Sequence, residues 1–148
     1  MSITITEFAD KINDVVPVMM KEFSRRNFAE LYKGKITLPQ FLILGFLHNS
    51  GDSKMCGIAK FMSVSTAAMT GMVDRLERYG YVKREPEPAD RRIINVSLTQ
   101  KGLELVKKIN HQRRHMIVDV FGKVSDEDRS DYLRVLMKIK EILTKNGK

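Results

Sequence analysis

The sequence predicts a mainly α-helical fold carrying one small β-hairpin, and three observations predict it. Apolar residues recur at helical spacing over most of the chain. The period shortens to strict alternation only within residues 81–98. Capping residues open several of these stretches, at Thr37, Ser65, Thr99 and Ser125, and Gly51 and Gly80 close two of them. With 148 residues, 43% of them hydrophobic, the chain suits one domain of ordinary size with a packed core.

The elements follow in order. Residues 5–31 carry Phe8, Ile12, Val15, Val16, Met19, Met20 and Phe23 at helical spacing, and Pro17 inside them predicts a kink or a division. Thr37, followed three residues later by Gln40, reads as a capping box opening a helix whose body, FLILGFLHNS, is apolar nearly all round and therefore belongs in the core. Gly51 ends it. A short helix is expected from Lys54 to Met62 with Ile58, Ala59 and Met62 inward, and a further one after Ser65, closed by Gly80. YVKRE and INVSL then alternate, with Ile94, Val96 and Leu98 on one face, and the intervening PEPADRR suits an exposed turn. Thr99 caps a long helix to about Phe121. Ser125 starts a last one, with Asp126, Glu127 and Asp128 where the helix dipole favours acids, and Tyr132, Leu133, Leu136, Ile139 and Leu143 along one face.

Charge narrows the partner. Lys plus Arg number 26 against 18 Asp plus Glu, a formal +8, and the pI is near 9.7. Such a surplus favours a polyanion, because each neutralised phosphate releases counterions. The single cysteine, Cys56, excludes an intramolecular disulfide and suits a reducing compartment. The N-terminal stretch has neither a signal nor a transit pattern, and no run approaches the roughly 18 apolar residues of a membrane span. A cytoplasmic location without membrane contact is expected.

Residues 58–102 concentrate the functional signal. Ala59 and Val64 stand five apart, as the close helix approach and the turn of a helix-turn-helix require, with Met69 and Met72 at the spacing of the second helix's buried side. Ser65 is placed as its N-cap. Thr66, Ala67, Thr70, Gly71 and Asp74 then face away from the core. Small side chains let a helix seat deeply in the major groove, where a threonine meets base edges by hydroxyl or methyl. The hairpin that follows offers Arg84, Arg91 and Arg92, and arginine gains from the negative potential of a narrow minor groove. Helix-turn-helix plus hairpin makes a winged helix.

Residues 90–102, Asp-Arg-Arg-Ile-Ile-Asn-Val-Ser-Leu-Thr-Gln-Lys-Gly, resemble the wing signature of the MarR family: Asp-x-Arg, an apolar strand, then Leu-Thr-x-x-Gly. Residues 73–82, VDRLERYGYV, resemble the end of that family's recognition helix and its entry to the wing. The resemblance implies one domain over 1–148: a winged helix-turn-helix lobe at 38–98, and a dimerisation arm from 5–31, 125–146 and part of 99–121. It implies a homodimer on a double-stranded, pseudo-palindromic operator, regulating transcription as a repressor released by a small aromatic or phenolic effector. Carried over by residue, Arg92 is the wing arginine and Asp90 its partner in shaping the loop. Asp74 pairs with a wing arginine, and Arg75 touches phosphate. Several family members carry a basic residue where Gly71 stands, so base reading here shifts toward Ser65, Thr66 and Thr70.

Other features carry less. Cys56 reads as a half-buried structural residue and not a redox sensor. His111 and His115 lie four apart without acidic or thiol support, so they read as a solvated face and not a metal site. Met19, Met20, Met69 and Met72 read first as adaptable core fillers. Gly-rich phosphate loops, Ser-His-Asp arrangements and paired carboxylates in an apolar setting are missing, so neither an enzyme nor a cofactor is expected. A nonspecific architectural DNA-binder and a winged-helix protein-interaction module are the alternatives. Competition by unrelated DNA separates the first from a specific regulator, and binding across salt the second.

Overall fold

The computed structural model describes residues 2–27 and 36–145. Its elements are α1 (Ile5–Asn27), α2 (Leu38–Ser50), β1 (Ser53–Lys54), α3 (Met55–Met62), α4 (Thr66–Arg78), β2 (Val82–Pro86), β3 (Ile94–Leu98), α5 (Gln100–Phe121) and α6 (Asp126–Lys145). The chain forms two compact units divided after His111.

In the first unit, α1 continues through Pro17 as one helix, so the division that proline allowed does not occur. The expected continuation to Leu31 lies outside the described residues. α2 begins as its sequence dictates. The Thr37 hydroxyl accepts from Gln40 N while the Gln40 side-chain oxygen accepts from Thr37 N. Phe41, Ile43, Leu44 and Leu47 of α2 enter a core shared with Ile58, Ala59, Met69, Val73, Leu76, Val82, Val96, Val106 and Ile109. Burying each such aliphatic side chain contributes roughly 1.5–3 kcal/mol, which is what fixes the helices against the sheet.

The sheet has three strands, not the two that alternation predicted. Ser53 and Lys54 pair antiparallel with Val96 and Asn95, giving the order β1-β3-β2. A two-residue strand is too short to show a period. β2 and β3 pair from Val82↔Leu98 to Pro86↔Ile94, and Pro86 is tolerated because β2 is an edge strand.

In the second unit, the Arg129 guanidinium donates to the carbonyls of Phe121, 2.9 Å away, and Val124, and pairs with Asp126. This satisfies the end of α5 and fixes the turn into α6. Ser125 caps α6 by accepting from Asp128 N at 3.1 Å, and the Tyr132 ring stacks on Phe121.

Two expectations change on apolar faces. Met19 and Met20 fill no core: both are exposed, as are Phe8, Ile12, Val15 and Val16 along α1. Cys56 is exposed, not half-buried, because it falls on the outer side of α3 while Ile58 and Ala59 take the inner one.

Candidate nucleic-acid interface

The site is built on α3, α4 and the β2–β3 hairpin. α3 and α4 differ in direction by 106°, within the range of a helix-turn-helix. The turn between them holds Ser63 at φ 54°, ψ 42°, and Val64 N donates back to Ala59 O at 3.1 Å. That left-handed residue lets Val64 pack against the core while α4 starts in a new direction. Ser65 caps α4, its hydroxyl accepting from Ala68 N at 3.1 Å.

Met69, Val73 and Leu76 of α4 are fully buried, with Met72 packed at the core's edge. The opposite face is therefore fixed by the helical period. Ser65, Thr66, Ala67, Gly71 and Arg75 are exposed, and Thr70 is half-buried. The Thr70 hydroxyl donates to Thr66 O at 2.9 Å, which leaves its lone pairs and its methyl for a partner.

The end of α4 explains the glycines of the motif. Gly80, at φ +79°, lets Tyr81 N donate to Leu76 O and Gly80 N to Glu77 O, a Schellman closure. Thr99 then ties this joint to α5. Its hydroxyl donates to Gly80 O at 2.5 Å and accepts from Gly102 N at 3.1 Å, and its backbone N–H donates to Tyr81 O at 3.1 Å. A Cβ at Gly102 would stand 2.0 Å from the Tyr81 carbonyl oxygen. The Leu-Thr-x-x-Gly spacing is thus a backbone contact between the base of the wing and α5.

At the wing's tip, the Asp90 carboxylate accepts from Arg92 N at 3.0 Å and from the Arg92 guanidinium at 3.1 and 3.2 Å. These bonds hold the Asp90 carboxyl below its ordinary pKa. Arg92 nevertheless remains 91% exposed, and Arg91 projects beside it without an ion-pair partner among the described residues.

Arg84 lies elsewhere. Sequence placed it with the tip arginines, but it sits midway along β2 with its side chain 28% exposed. Its guanidinium pairs with Asp74 at 2.6 Å and with Glu77 at 2.9 Å, and its backbone N donates to Glu77 at 2.9 Å. The guanidinium hydrogen bonds lower the Glu77 pKa. Asp74 thus meets a wing arginine as expected, while Glu77 was missed in the sequence, although it stands seven residues before Arg84. With its charge matched by two carboxylates, Arg84 braces the hairpin against α4.

Among the described residues, no cluster of three or more His, Cys, Asp or Glu is placed to hold a metal, and His111 and His115 are exposed. No single described helix is long and apolar enough to cross a membrane.

The MarR family's sequence profile matches residues 36–94, which run from just before α2 through the helix-turn-helix and the wing's tip to the first residue of β3. An HTH-type transcriptional regulator of Mycobacterium leprae, ML2140, is 33% identical over 67% of this chain and 68% of its own. The chain belongs to the MarR family. YsmB of Bacillus subtilis, also an HTH-type transcriptional regulator, is 28% identical over 80% of this chain and 87% of its own. Other curated relatives are spanned over only 54% and 65% of their length. Among solved structures, a MepR-like protein complexed with pseudoligands is 31% identical, with a TM-score of 0.60 over 90% of this chain and 94% of its own. This MarR-family chain is accordingly a DNA-binding transcription regulator and not an enzyme. Regulators of the family bind DNA and act as dimers.

Proposed function

We propose that the chain is a homodimeric, cytoplasmic repressor that reads a pseudo-palindromic operator and is released by a small ligand, with residues 1–148 forming one MarR-type domain. One observation carries the reading. The wing presents two outward arginines, Arg91 and Arg92, while α4 presents a small, neutral face of Ser65, Thr66, Ala67, Thr70 and Gly71. Small neutral residues suit close approach to base edges, and exposed arginines suit the phosphate-lined minor groove. Arg75 contributes a phosphate contact, Asp90 shapes the tip, and Asp74 and Arg84 set the wing's angle. A dimer holding both half-sites occludes the DNA beneath it, which represses any promoter it overlaps.

The dimer reading is supported by uncovered apolar faces on helices at either end of the chain. Phe8, Ile12 and Val15 of α1 are exposed, and so are Tyr132, Leu136 and Ile139 of α6. Apolar stripes of that extent usually mark an interface. Release by an aromatic or phenolic ligand is supported by the family relation alone, and a ligand acts only through differential affinity for two dimer states. Selection of bound duplexes from random DNA tests the whole. The expected product is an inverted repeat with half-sites about one helical turn apart, bound by a species that sediments as a dimer. A single asymmetric half-site bound by a monomer would refute it.

A further inference from the structure

Two clefts flank α4. The one facing the wing is lined by Thr66, Thr70, Arg84 and Arg92. The other, of about 320 Å³, lies between α4 and the start of α2 and is lined by Thr37, Gln40, Ala68, Gly71 and Arg75 among others. Gln40 is the one buried polar residue among those described, at 4% exposure. Its side-chain oxygen is taken, accepting from Thr37 N at 2.9 Å. That bond also fixes which way the amide points, since an N–H must meet oxygen and not nitrogen. The amide nitrogen, with two donors, then has no acceptor among the described residues. Buried donors left unpaired are costly and usually signal a missing partner. Arg75, on the same cleft, is exposed and has no ion-pair partner among the described residues.

A helix about 10–12 Å across nearly fills a major groove about 12 Å wide, so its two flanks face the two phosphate walls. The wing reaches one wall. We propose that the cleft between α2 and α4 seats a DNA backbone phosphate of the opposite wall, held by the Gln40 amide and the Arg75 guanidinium. This rests on the reading that α4 enters the major groove, and it adds an uncharged, buried donor that charge patterning alone does not reveal. Holding both walls fixes the depth and roll of α4 in the groove, and so the register in which its threonines meet bases.

Gln40→Glu tests the seat without removing the cap. A glutamate at the third position of a capping box still accepts from Thr37 N, but it replaces the phosphate-facing donor with a negative oxygen. The probe is a mixed-sequence duplex of about two helical turns, followed by fluorescence anisotropy between about 50 and 200 mM salt. Binding is expected to weaken at least about tenfold with the thermal melt retained. Arg75→Gln should weaken binding and lower the salt slope by about 0.9 for each phosphate released. The double variant should lose less than the product of the two effects, because both act on one phosphate.

A folded Gln40→Glu protein with unchanged affinity would overturn the proposal. If that variant fails to fold, the side-chain amide resonances of Gln40 in the native protein decide. They must shift as duplex is added, and unmoved resonances overturn the seat. Wild-type protein that binds no duplex removes the DNA-binding reading and the seat together. Loss of binding in an Arg91→Ala/Arg92→Ala variant, alongside an unaffected Gln40→Glu, removes the seat alone.

Discussion

Replacing both Arg91 and Arg92 with alanine should weaken binding to every duplex alike, and the structure sets the size of the effect. Arg91 is exposed and unpaired among the described residues, so its whole charge faces a partner. Arg92 shares its Nε and Nη2 hydrogens with Asp90, yet it is 91% exposed. A dimer therefore presents four wing arginines. At about 0.9 per phosphate neutralised, the slope of log K against log salt should become shallower by up to about 3.6. Arg92→Ala also leaves the Asp90 carboxylate facing DNA without its cation, so it should cost more than Arg91→Ala. Thr70→Ala is the contrast. The Thr70 hydroxyl is already donating to Thr66 O, so only an acceptor and a methyl are lost, on the order of 1 kcal/mol at one base step, with no change in slope. The assay is a salt titration of each variant on the selected operator and on scrambled DNA. An arginine double variant with native slope, or a threonine variant that weakens equally on both DNAs, would show the roles to be wrongly divided.

Three further outcomes are expected. Gly102→Ala drives a methyl into the Tyr81 carbonyl, 2.0 Å from the built Cβ, and should cost about 3 kcal/mol, on the order of 10 °C in melting temperature. A variant melting like the wild type would mean that α5 and the base of the wing separate freely. Ser63→Gly relieves a left-handed residue at φ 54° and should stabilise by about 0.5–1 kcal/mol in urea unfolding, whereas a loss would mean that the serine contributes more than its strain. Glu77 is held below its ordinary value of 4.5 first by the Arg84 side chain. A depressed carboxylate stabilises the fold above the unfolded-state pKa, and that contribution is lost as pH falls through the folded-state value. Stability should therefore decline from about pH 4.5 downward. Glu77→Gln should lose less than about 1 kcal/mol near neutrality, the pair being partly solvent-screened, and should show a flatter acid limb. An unchanged acid limb in that variant would assign the decline to other carboxylates.

Most of the fold was legible in the sequence because it obeys local rules. Thr37 with Gln40, Ser65, Gly80 and Thr99 each announce a helix end through hydrogen bonds that close within a few residues. Val96 between Ile94 and Leu98 announces a strand with one face on the core. The order of elements and the family followed from these signals together with the wing motif. The exposed apolar faces of α1 and α6 were legible only as apolar periodicity. That signal does not say which surface a stripe covers, and for this reason Met19 and Met20 read as core although they stand exposed.

Tertiary structure decided what depends on residues distant in sequence. Arg84 looks like a third wing cation until the fold brings Asp74 and Glu77 against it, and β1 becomes a strand only because β3 offers it a ladder. The need for glycine at residue 102 comes from the Tyr81 carbonyl, 21 residues upstream in the numbering but in contact in space. Gln40 reads in sequence as a cap, and only the fold buries it at the cleft beside α4, where its amide nitrogen has no acceptor among the described residues. The physical reason is the same in each case. Backbone propensity and capping act over one helical turn, whereas charge compensation, steric exclusion and desolvation depend on which surfaces meet.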